Sequence, residues 1–248
     1  MCSVRNEPEA LSPGDDRTAK ARIRDAAIGC FAEHGIAGAT ARKVATAAGV
    51  SPGLVIHHFG SMDGLRHACD QHIASIIRQE KQEALAAGAG LDLLAALRGS
   101  EAVAGMGYLA RVLADDSPAV ATLVDDLVAD AEDYFQQGVE AGTLCPSADP
   151  RGKATVLAIW ALGALVLHKH LQRILGVDLT DPAVVTNPAI ASYMGPAYEI
   201  LTEGVFTDEV GAQMREAIAA LAATETSEET PAPPLKPMAS ETKGKGTR

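Results

Sequence analysis

The chain has 248 residues and a formal net charge of −11, and almost half of its residues are apolar although only 4% are aromatic. The four cysteines (Cys2, Cys30, Cys69 and Cys145) form no CxxC pair, so their spacing indicates neither a metal site nor a disulfide framework. We therefore expect no metal or cofactor and a reducing, cytoplasmic compartment. The first residues are polar and acidic, which argues against a signal peptide.

Residues 1–14 are polar and contain two prolines, so they are expected to form a disordered arm. From about Asp16 to His34, apolar residues recur every three or four positions, which predicts a first helix that ends at Gly35. Four basic residues lie near its start: Arg17, Lys20, Arg22 and Arg24. They form either a solvated face or a phosphate-binding surface, and we favour phosphate contacts for one or two of them.

Residues 36–66 predict two short helices joined by a tight turn. Thr40 can cap the first helix, and Gly49 can end it in a left-handed conformation. Ser51 can cap the second helix, with Pro52 at its first position. The expected inner residues are Val44, Ala47 or Ala48, Val55 and Phe59. This is the pattern of a helix-turn-helix, whose second helix enters the DNA major groove, although an ordinary helical hairpin has the same spacing.

A specific set of residues favours the first alternative: Ala27, Phe31, Gly35, Thr40, Val44, Ala45, Ala48, Gly49, Val50, Ser51, Gly53, His58, Phe59, Ser61 and Leu65. In order and spacing this set resembles the N-terminal domain of the TetR/AcrR family of transcriptional regulators. The resemblance covers about residues 17–66. These hold seven basic and three acidic side chains, a net of +4, so the rest of the chain carries −15. A basic domain joined to an acidic one suits a DNA-binding protein.

The resemblance implies contacts to DNA for seven residues: Thr40, Arg42, Pro52, Gly53, Leu54, His57 and His58. Thr40 would offer its hydroxyl to phosphate at a helix N-terminus. Arg42 would bind a guanine edge, and Leu54 would contact a thymine methyl group. Gly53 would let the backbone approach DNA closely. His57 and His58 would bind phosphates or base edges, with packing inside the domain as the alternative for His58.

Two residues depart from the family pattern. Ile56 stands where the family commonly has tyrosine, and Met62 stands where it commonly has lysine. Both positions usually contact phosphate, so the loss of a hydroxyl and an ammonium is expected to weaken the sequence-independent part of DNA binding. The packing residues are unaffected.

The rest of the chain predicts helices without strand-like alternation. Ser61 begins a helix to about Ala86 that joins the N-terminal domain to the remainder. Further helices are expected at 91–99, 101–114, 117–141, 150–175, 189–203 and 208–222. The predicted fold is all-α, with a three-helix DNA-binding domain (15–66), a helical-bundle domain for ligand binding and dimerisation (67–223) and a disordered tail (224–248). Asp126, Asp130 and Asp133 share one face, which we interpret as solvated rather than as a cation site.

Residues 154–167 form an unbroken apolar run that is too short to span a bilayer. A helix that is apolar all round is expected to be buried on every side, here between the core and a partner subunit. The resemblance implies a homodimer formed through two late helices. Residues 153–175 are the first candidate for this interface, and residues 189–203 or 208–222 are the second.

The resemblance implies a sequence-specific regulator, most often a homodimeric repressor that a small molecule releases from a palindromic operator. Six residues are candidates to line the effector cavity, with plain core packing or exposure as the alternative: Met106, Tyr108, Tyr134, Phe135, Trp160 and His168. The alanine- and leucine-rich helices favour an apolar effector. The competing hypothesis is a helical interaction module that has lost operator binding. The sequence contains no nucleophile–base pair or phosphate loop that would favour an enzyme.

Overall fold

The computed structural model describes the backbone of residues 13–88 and 100–228 and the side chains of residues 17–88 and 100–221. All regular structure within these ranges is helical, which confirms the all-α prediction. The helices are α1 (Pro13–His34), α2 (Ala41–Ala48), α3 (Pro52–Phe59), α4 (Met62–Ala87), α5 (Ala102–Val112), α6 (Pro118–Glu140), α7 (Pro150–Val166), α8 (His168–Leu175), α9 (Ala191–Thr202) and α10 (Asp208–Glu228). Two short 3₁₀ helices, Val184–Thr186 and Pro188–Ile190, precede α9.

The ends of the predicted domains differ from the observed helices. Helix α1 begins at Pro13, inside the predicted arm, and α10 continues to Glu228, so the expectation of disorder from residue 224 is wrong for its first residues. The predicted helix at 91–99, most of the arm and the rest of the tail lie outside the described residues. The chain divides into two compact units between Gly195 and Pro196. The predicted boundary after residue 66 falls within the continuous helix α4, and this domain division stays a prediction.

One hydrophobic core joins the N-terminal helices to α4, α5 and α6 in the first unit. Most side chains predicted to face inward are buried in it: Ile23, Ala27, Cys30, Phe31, Val44, Ala48, Val55, Leu65, Cys69 and Ile73. The others predicted to do so, Ala26, Phe59, Ile76 and Ile77, are half-buried. The Phe31 ring of α1 meets the Tyr108 ring of α5 edge to face, with centroids 5.9 Å apart. Residues of the N-terminal domain therefore share a core with helices that follow it in the chain.

The helix predicted over 150–175 is broken, and that prediction is wrong. Helix α7 ends at Val166, and α8 begins at His168 with a bend of 74°. Leu167 lies outside helical geometry, with φ −94° and ψ 15°. The bend is stabilised from the loop that follows, because the Asp178 carboxylate lies 3.2 Å from Nδ1 of His168. Within the described residues, no single helix has the length and composition to cross a membrane, and only this bent pair meets both criteria together.

Within the single chain, the apolar run of α7 is buried on one side only, and the expected burial of its other side against a partner subunit stays a prediction. Only Ala154 and Leu165 of this helix are buried. Its exposed apolar residues, with those that continue into α8, are Val156, Ile159, Trp160, Val166, Leu167, Ile174 and Leu175. The physical reason is that α6 and α5 cover α7 from one side. In the second unit, apolar side chains are exposed as well: Tyr198, Ile200, Leu201, Val205, Phe206, Val210, Met214, Ile218 and Leu221.

Candidate nucleic-acid interface

Helices α2 and α3 are joined as the capping residues predict. The Thr40 hydroxyl accepts a hydrogen bond from the Lys43 amide at 3.3 Å and begins α2. Gly49 ends α2 with φ 66° and ψ 38°, a left-handed conformation that favours glycine. The Ser51 hydroxyl then accepts from the Leu54 amide at 3.2 Å and begins α3. These local hydrogen bonds fix the angle between two helices that are each too short to persist alone.

The inner face of this unit holds α3 against the rest of the domain. Val44 of α2 and Val55 of α3 are fully buried. Phe59, at the end of α3, is half-buried beneath Nζ of Lys20, which lies 5.7 Å from the ring centroid. Apolar burial on this side leaves the opposite side of α3 open to a partner.

The junction of α3 and α4 allows little movement. Gly60 ends α3 with φ 74°, and the Ser61 hydroxyl accepts from the Gly64 amide at 3.0 Å to begin α4. A Cβ atom on Gly64 would collide with the carbonyl oxygen of Phe59. The sequence analysis did not identify the need for a glycine at residue 64. The indication was a glycine three residues after the N-cap Ser61. The two helices therefore meet in direct backbone contact.

The structure exposes five of the seven residues expected to contact DNA: Thr40, Arg42, Pro52, Gly53 and His57. Among the described residues, the Arg42 guanidinium has no ion-pair partner and no hydrogen bond to another side chain. Its neighbour Lys43 donates from Nζ to the carbonyl oxygen of Gly38 at 3.0 Å. An exposed guanidinium at the start of α2 is suited to bidentate hydrogen bonding with a guanine edge.

Leu54 and His58 are less exposed than the other five residues. Leu54 is half-buried and packs against the hydrophobic core, and its contact with a thymine methyl group stays a prediction. His58 is also half-buried, and its ring meets those of His57 and Phe59 edge to face, with centroids 5.6 and 6.2 Å away. Helix α3 has only eight residues, and Leu54 and Phe59 on either side of the buried Val55 pack against the same core. The packing alternative for His58 matches these contacts.

The basic residues at the start of α1 occupy different environments. Arg24 donates to the Asp25 carboxylate at 2.8 Å, which offsets its charge. Arg17, Lys20 and Arg24 line an open cleft of about 500 Å³, which His72 of α4 also lines. Arg22 is exposed. Arg24 is paired with a carboxylate and Lys20 lies over the Phe59 ring. Among these four residues, Arg17 and Arg22 are therefore the better candidates for contacts with phosphate.

The two departures from the family pattern have different structural consequences. Ile56 is 40% exposed on α3, so an apolar side chain lies on the surface expected to face DNA. Met62 is half-buried against the core at the start of α4. Met62 thus packs against the core at a position where the family commonly has a phosphate-binding lysine. Ile56 offers DNA no hydrogen-bond donor.

Of the six candidate effector residues, Tyr108 and Tyr134 are buried. The Tyr108 hydroxyl donates to Oδ1 of Asp70 at 2.5 Å, and burial together with this carboxylate raises the pKa of Tyr108 far above its usual range. Tyr134 meets the Phe135 ring at 4.9 Å between centroids, and burial raises the pKa of Tyr134 to about 12.

The other candidates are less enclosed. Met106 is half-buried, Trp160 is 36% exposed, and His168 is paired with Asp178. None of the six lines the cleft at α1 or the cavity between α4 and α6 described below. Their role in effector binding stays a prediction.

Comparisons with known proteins match both parts of the chain. Residues 23–69 match the family described as bacterial regulatory proteins, tetR family. Residues 101–207 match the family described as tetracyclin repressor-like, C-terminal domain. These two segments contain the helix-turn-helix and most of the later helices. TetR-family regulators are transcription factors rather than enzymes.

Individual members of the family are also similar to this chain in sequence or in structure. The chain is 40% identical to the HTH-type transcriptional regulatory protein RaaS of Mycobacterium tuberculosis, over 78% of this chain and 89% of that protein. It is 42% identical over 57 residues to the HTH-type transcriptional repressor AcnR of Corynebacterium glutamicum, which is 23% of this chain and 30% of that protein. A putative TetR-family regulator from Rhodococcus sp. has the same fold, with a TM-score of 0.53, 21% identity and coverage of 72% of this chain and 98% of that one. With its helix-turn-helix and its matching C-terminal region, the chain belongs to the TetR family of DNA-binding transcriptional regulators.

Proposed function

We propose that the protein is a homodimeric repressor that binds a palindromic operator and is released from it by a small apolar effector. The observation that carries this proposal is the exposed surface of α2 and α3, where Arg42, Pro52, Gly53 and His57 face solvent on a unit held by a buried core. A rigid support of this kind positions side chains against base edges in the major groove. Such a repressor would act in the cytoplasm, where the chromosome lies.

The homodimer is supported by the apolar side chains that the single chain leaves exposed. In α7 these include Val156 at 67% and Ile159 at 50% exposure. Contiguous exposed apolar surface of this kind marks interaction sites. A two-fold axis through α7 and α8, our first candidate, would repeat the recognition helix α3 on the other subunit. The second candidates are α9 and α10. Two half-sites about 34 Å apart, one turn of DNA, would then form the operator.

Release by an effector is a linkage argument. A ligand can lower operator affinity only by binding more tightly to the arrangement of the two recognition helices that does not fit DNA. The alanine- and leucine-rich helices α5 to α7 favour an apolar ligand, and Met106, Phe135 and Trp160 are the large apolar side chains proposed to meet it. AcnR, which matches the DNA-binding region of this chain, is described as a transcriptional repressor, and this supports repression rather than activation.

The test is a fluorescence-polarisation titration of the full-length protein against the DNA next to its own coding region, at two salt concentrations. We expect tight, sequence-selective binding that weakens steeply with salt, because phosphate contacts release counterions. If neither this DNA nor a selection from random sequences yields a palindromic site, the proposal is overturned.

The second candidate function is an interaction module that has lost operator binding. It is favoured by one observation, the exposed Ile56 on α3 at a position where the family commonly offers a phosphate-binding tyrosine. It predicts a homodimer without salt-sensitive DNA binding, so the same titration distinguishes the two functions.

A further inference from the structure

A cavity of about 200 Å³ lies between the first half of α4 and the start of α6. Its apolar wall includes Ala74 of α4 and Leu123 of α6, both buried. Its polar wall includes Arg66, with Asp63 and Asp126 exposed. At about 30 Å³ for each water-sized group, the cavity has room for roughly seven such groups. It is therefore large enough for a small metabolite.

Arg66 gives this cavity an unusual donor. Its side chain is only 9% exposed, and its Nε lies 3.4 Å from Oδ2 of Asp70. Its Nη2 is buried and has no hydrogen-bond partner among the described residues. A buried donor without an acceptor is costly, and more so when the group is charged. Because Arg66 lines the cavity, a ligand oxygen that a small shift of this side chain brought within reach of Nη2 would remove that cost.

Asp70 does not supply the missing acceptor in the observed geometry. Its Oδ1 already accepts from the Tyr108 hydroxyl at 2.5 Å, and its Oδ2 faces Nε of Arg66. The Arg66–Asp70 pair is neutral as a unit, so the remaining formal charge on the cavity comes from Asp63 and Asp126. A ligand that carried only a carboxylate would meet these two acids and be repelled.

We propose that this cavity binds a small zwitterion, an aliphatic amino acid whose carboxylate accepts from Arg66 and whose ammonium group lies near Asp63 and Asp126. The short aliphatic body packs between Ala74 and Leu123. The carboxylate forms charge-assisted hydrogen bonds with a guanidinium, which is a strong and geometrically specific pairing. None of the six candidate effector residues lines this cavity, so the proposed site is separate from the one proposed for the apolar effector.

The cavity is connected to the DNA-binding region by contacts within the first unit. Arg66 and Asp70 hold the Tyr108 hydroxyl, and the Tyr108 ring packs on Phe31 of α1. An occupied site would therefore change the contacts at the join of α1, α4 and α5. Only this last step, an effect on operator affinity, rests on the proposed function.

The experiment is isothermal titration of the full-length protein without DNA, so its outcome does not depend on operator binding. The probe is 5-aminopentanoate, and the matched controls are pentylamine, which lacks the carboxylate, and pentanoate, which lacks the amine. We expect pentylamine to bind more than about tenfold more weakly because the hydrogen bond to Arg66 is lost. Pentanoate should bind about threefold to fivefold more weakly, since the acids at the rim are exposed.

Variants locate the binding. Asp126→Asn should weaken 5-aminopentanoate about threefold to fivefold, whereas Asp125→Asn removes the same charge from an exposed neighbour outside the cavity and should leave affinity unchanged. Thr122→Tyr places a large side chain at the cavity wall and should abolish binding while leaving Arg66 and Asp70 paired. The proposal is overturned by an absence of saturable binding up to about 10 mM. It is equally overturned if pentylamine matches the zwitterion, or if Asp125→Asn and Asp126→Asn behave alike.

Discussion

The pair α2–α3 and the pair α7–α8 are both rich in apolar residues, but they place those residues in opposite environments. Val44 and Val55 in the first pair are fully buried, and most exposed positions there are polar or glycine. In the second pair, Val156 and Ile174 are 67% and 64% exposed. The same class of side chain is thus enclosed in one region and left in solvent in the other.

The difference indicates which region is completed by its own chain. Helices α2 and α3 bury their apolar face against α1 and α4, so the N-terminal domain needs no partner to form its core. Helices α7 and α8 leave apolar area in water, which costs about 25 cal/mol for each Å². A second subunit that covered this area would remove the cost, and this is the physical argument for the proposed homodimer.

The largest expected effect is on the free energy of unfolding, from truncating a buried valine in α2, and the same truncation of an exposed valine in α7 is its control. Val44→Ala should lower the free energy of unfolding by about 2–3 kcal/mol, because it removes two buried methyl groups and leaves a cavity. Val156→Ala should change it by less than about 0.5 kcal/mol in the monomer, since the site is exposed. Urea unfolding at low protein concentration measures both.

Analytical ultracentrifugation measures self-association, the property in which an exposed valine of α7 is expected to matter. Val156→Asp should lower self-association, whereas Val156→Ala and wild type should differ little in monomer stability. Equal losses of stability for Val44→Ala and Val156→Ala would show that the two regions do not differ as the exposures indicate.

The next effect concerns an exposed residue of the N-terminal domain that is expected to act on DNA rather than on stability. Arg42→Ala should weaken operator binding by about 1–3 kcal/mol, because the guanidinium no longer reads a guanine edge. Self-association should be unchanged. Polarisation titrations with operator and with scrambled DNA would separate the specific part of the loss.

Lys43→Ala is the matched control for Arg42→Ala, since it removes one positive charge from the next residue. Because Nζ of Lys43 is bonded to the Gly38 carbonyl, its loss should weaken all DNA sequences by a similar, smaller factor. An unchanged operator affinity for Arg42→Ala would mean that α2 does not meet DNA as we propose.

A smaller effect is expected at Ile56, the apolar residue that α3 exposes much as α7 and α8 expose theirs. Ile56→Tyr should strengthen DNA binding by about 0.5–1.5 kcal/mol, the net contribution of one hydrogen bond, if its hydroxyl reaches a phosphate. The gain should be the same for operator and scrambled DNA, because phosphate contacts carry no sequence information. Ile56→Phe is the control that adds the ring without the hydroxyl, and an equal gain for it would assign the effect to stacking or packing.

The smallest effect concerns the polar contact at the bend between α7 and α8. Burial raises the pKa of the Asp178 carboxyl, but hydrogen bonds from Thr180 and His168 outweigh it, so this pKa lies below its usual range. A carboxyl with a lowered pKa adds stability above its unfolded pKa of about 4, and the contribution is lost as the pH falls through the folded value.

Asp178→Asn should therefore lower stability at pH 7 by less than about 1 kcal/mol, with a difference from wild type that shrinks below pH 4. Chemical unfolding of both proteins at pH 7 and at pH 3 measures this difference. A difference that did not depend on pH would assign the effect to packing at the bend instead of to the carboxylate.

The sequence allowed the helix-turn-helix to be predicted in detail because its determinants are local. The Thr40 and Ser51 hydroxyls accept from amides three residues ahead. The Gly49 amide donates to carbonyl oxygens three and four residues back, so all three roles follow from spacing alone. Helical periodicity likewise indicated the buried faces of α1 and α4. The DNA-facing positions came from the family resemblance, and how far each of them is exposed, as at the half-buried Leu54, depends on packing against the core.

Features that depend on distant residues could not be predicted. At the bend, His168 is paired with Asp178 from the following loop, and the buried pair of Arg66 and Asp70 meets the Tyr108 hydroxyl from a different helix. A hydrophobic run shows that α7 needs apolar neighbours, but it does not show whether the same chain provides them. For this reason residues 153–175 stay a candidate interface, whose second side awaits a partner subunit.

The backbone contact between Gly64 and Phe59 has a mechanical consequence. Helix α4 has 26 residues and is about 39 Å long at 1.5 Å per residue. A tilt of about 5° that displaces its far end by roughly 3 Å turns its first residues through the same angle. Because the two backbones are in contact at the junction, we expect α3 to turn with α4, so that a small displacement far from DNA becomes an angular change of the recognition helix in the groove.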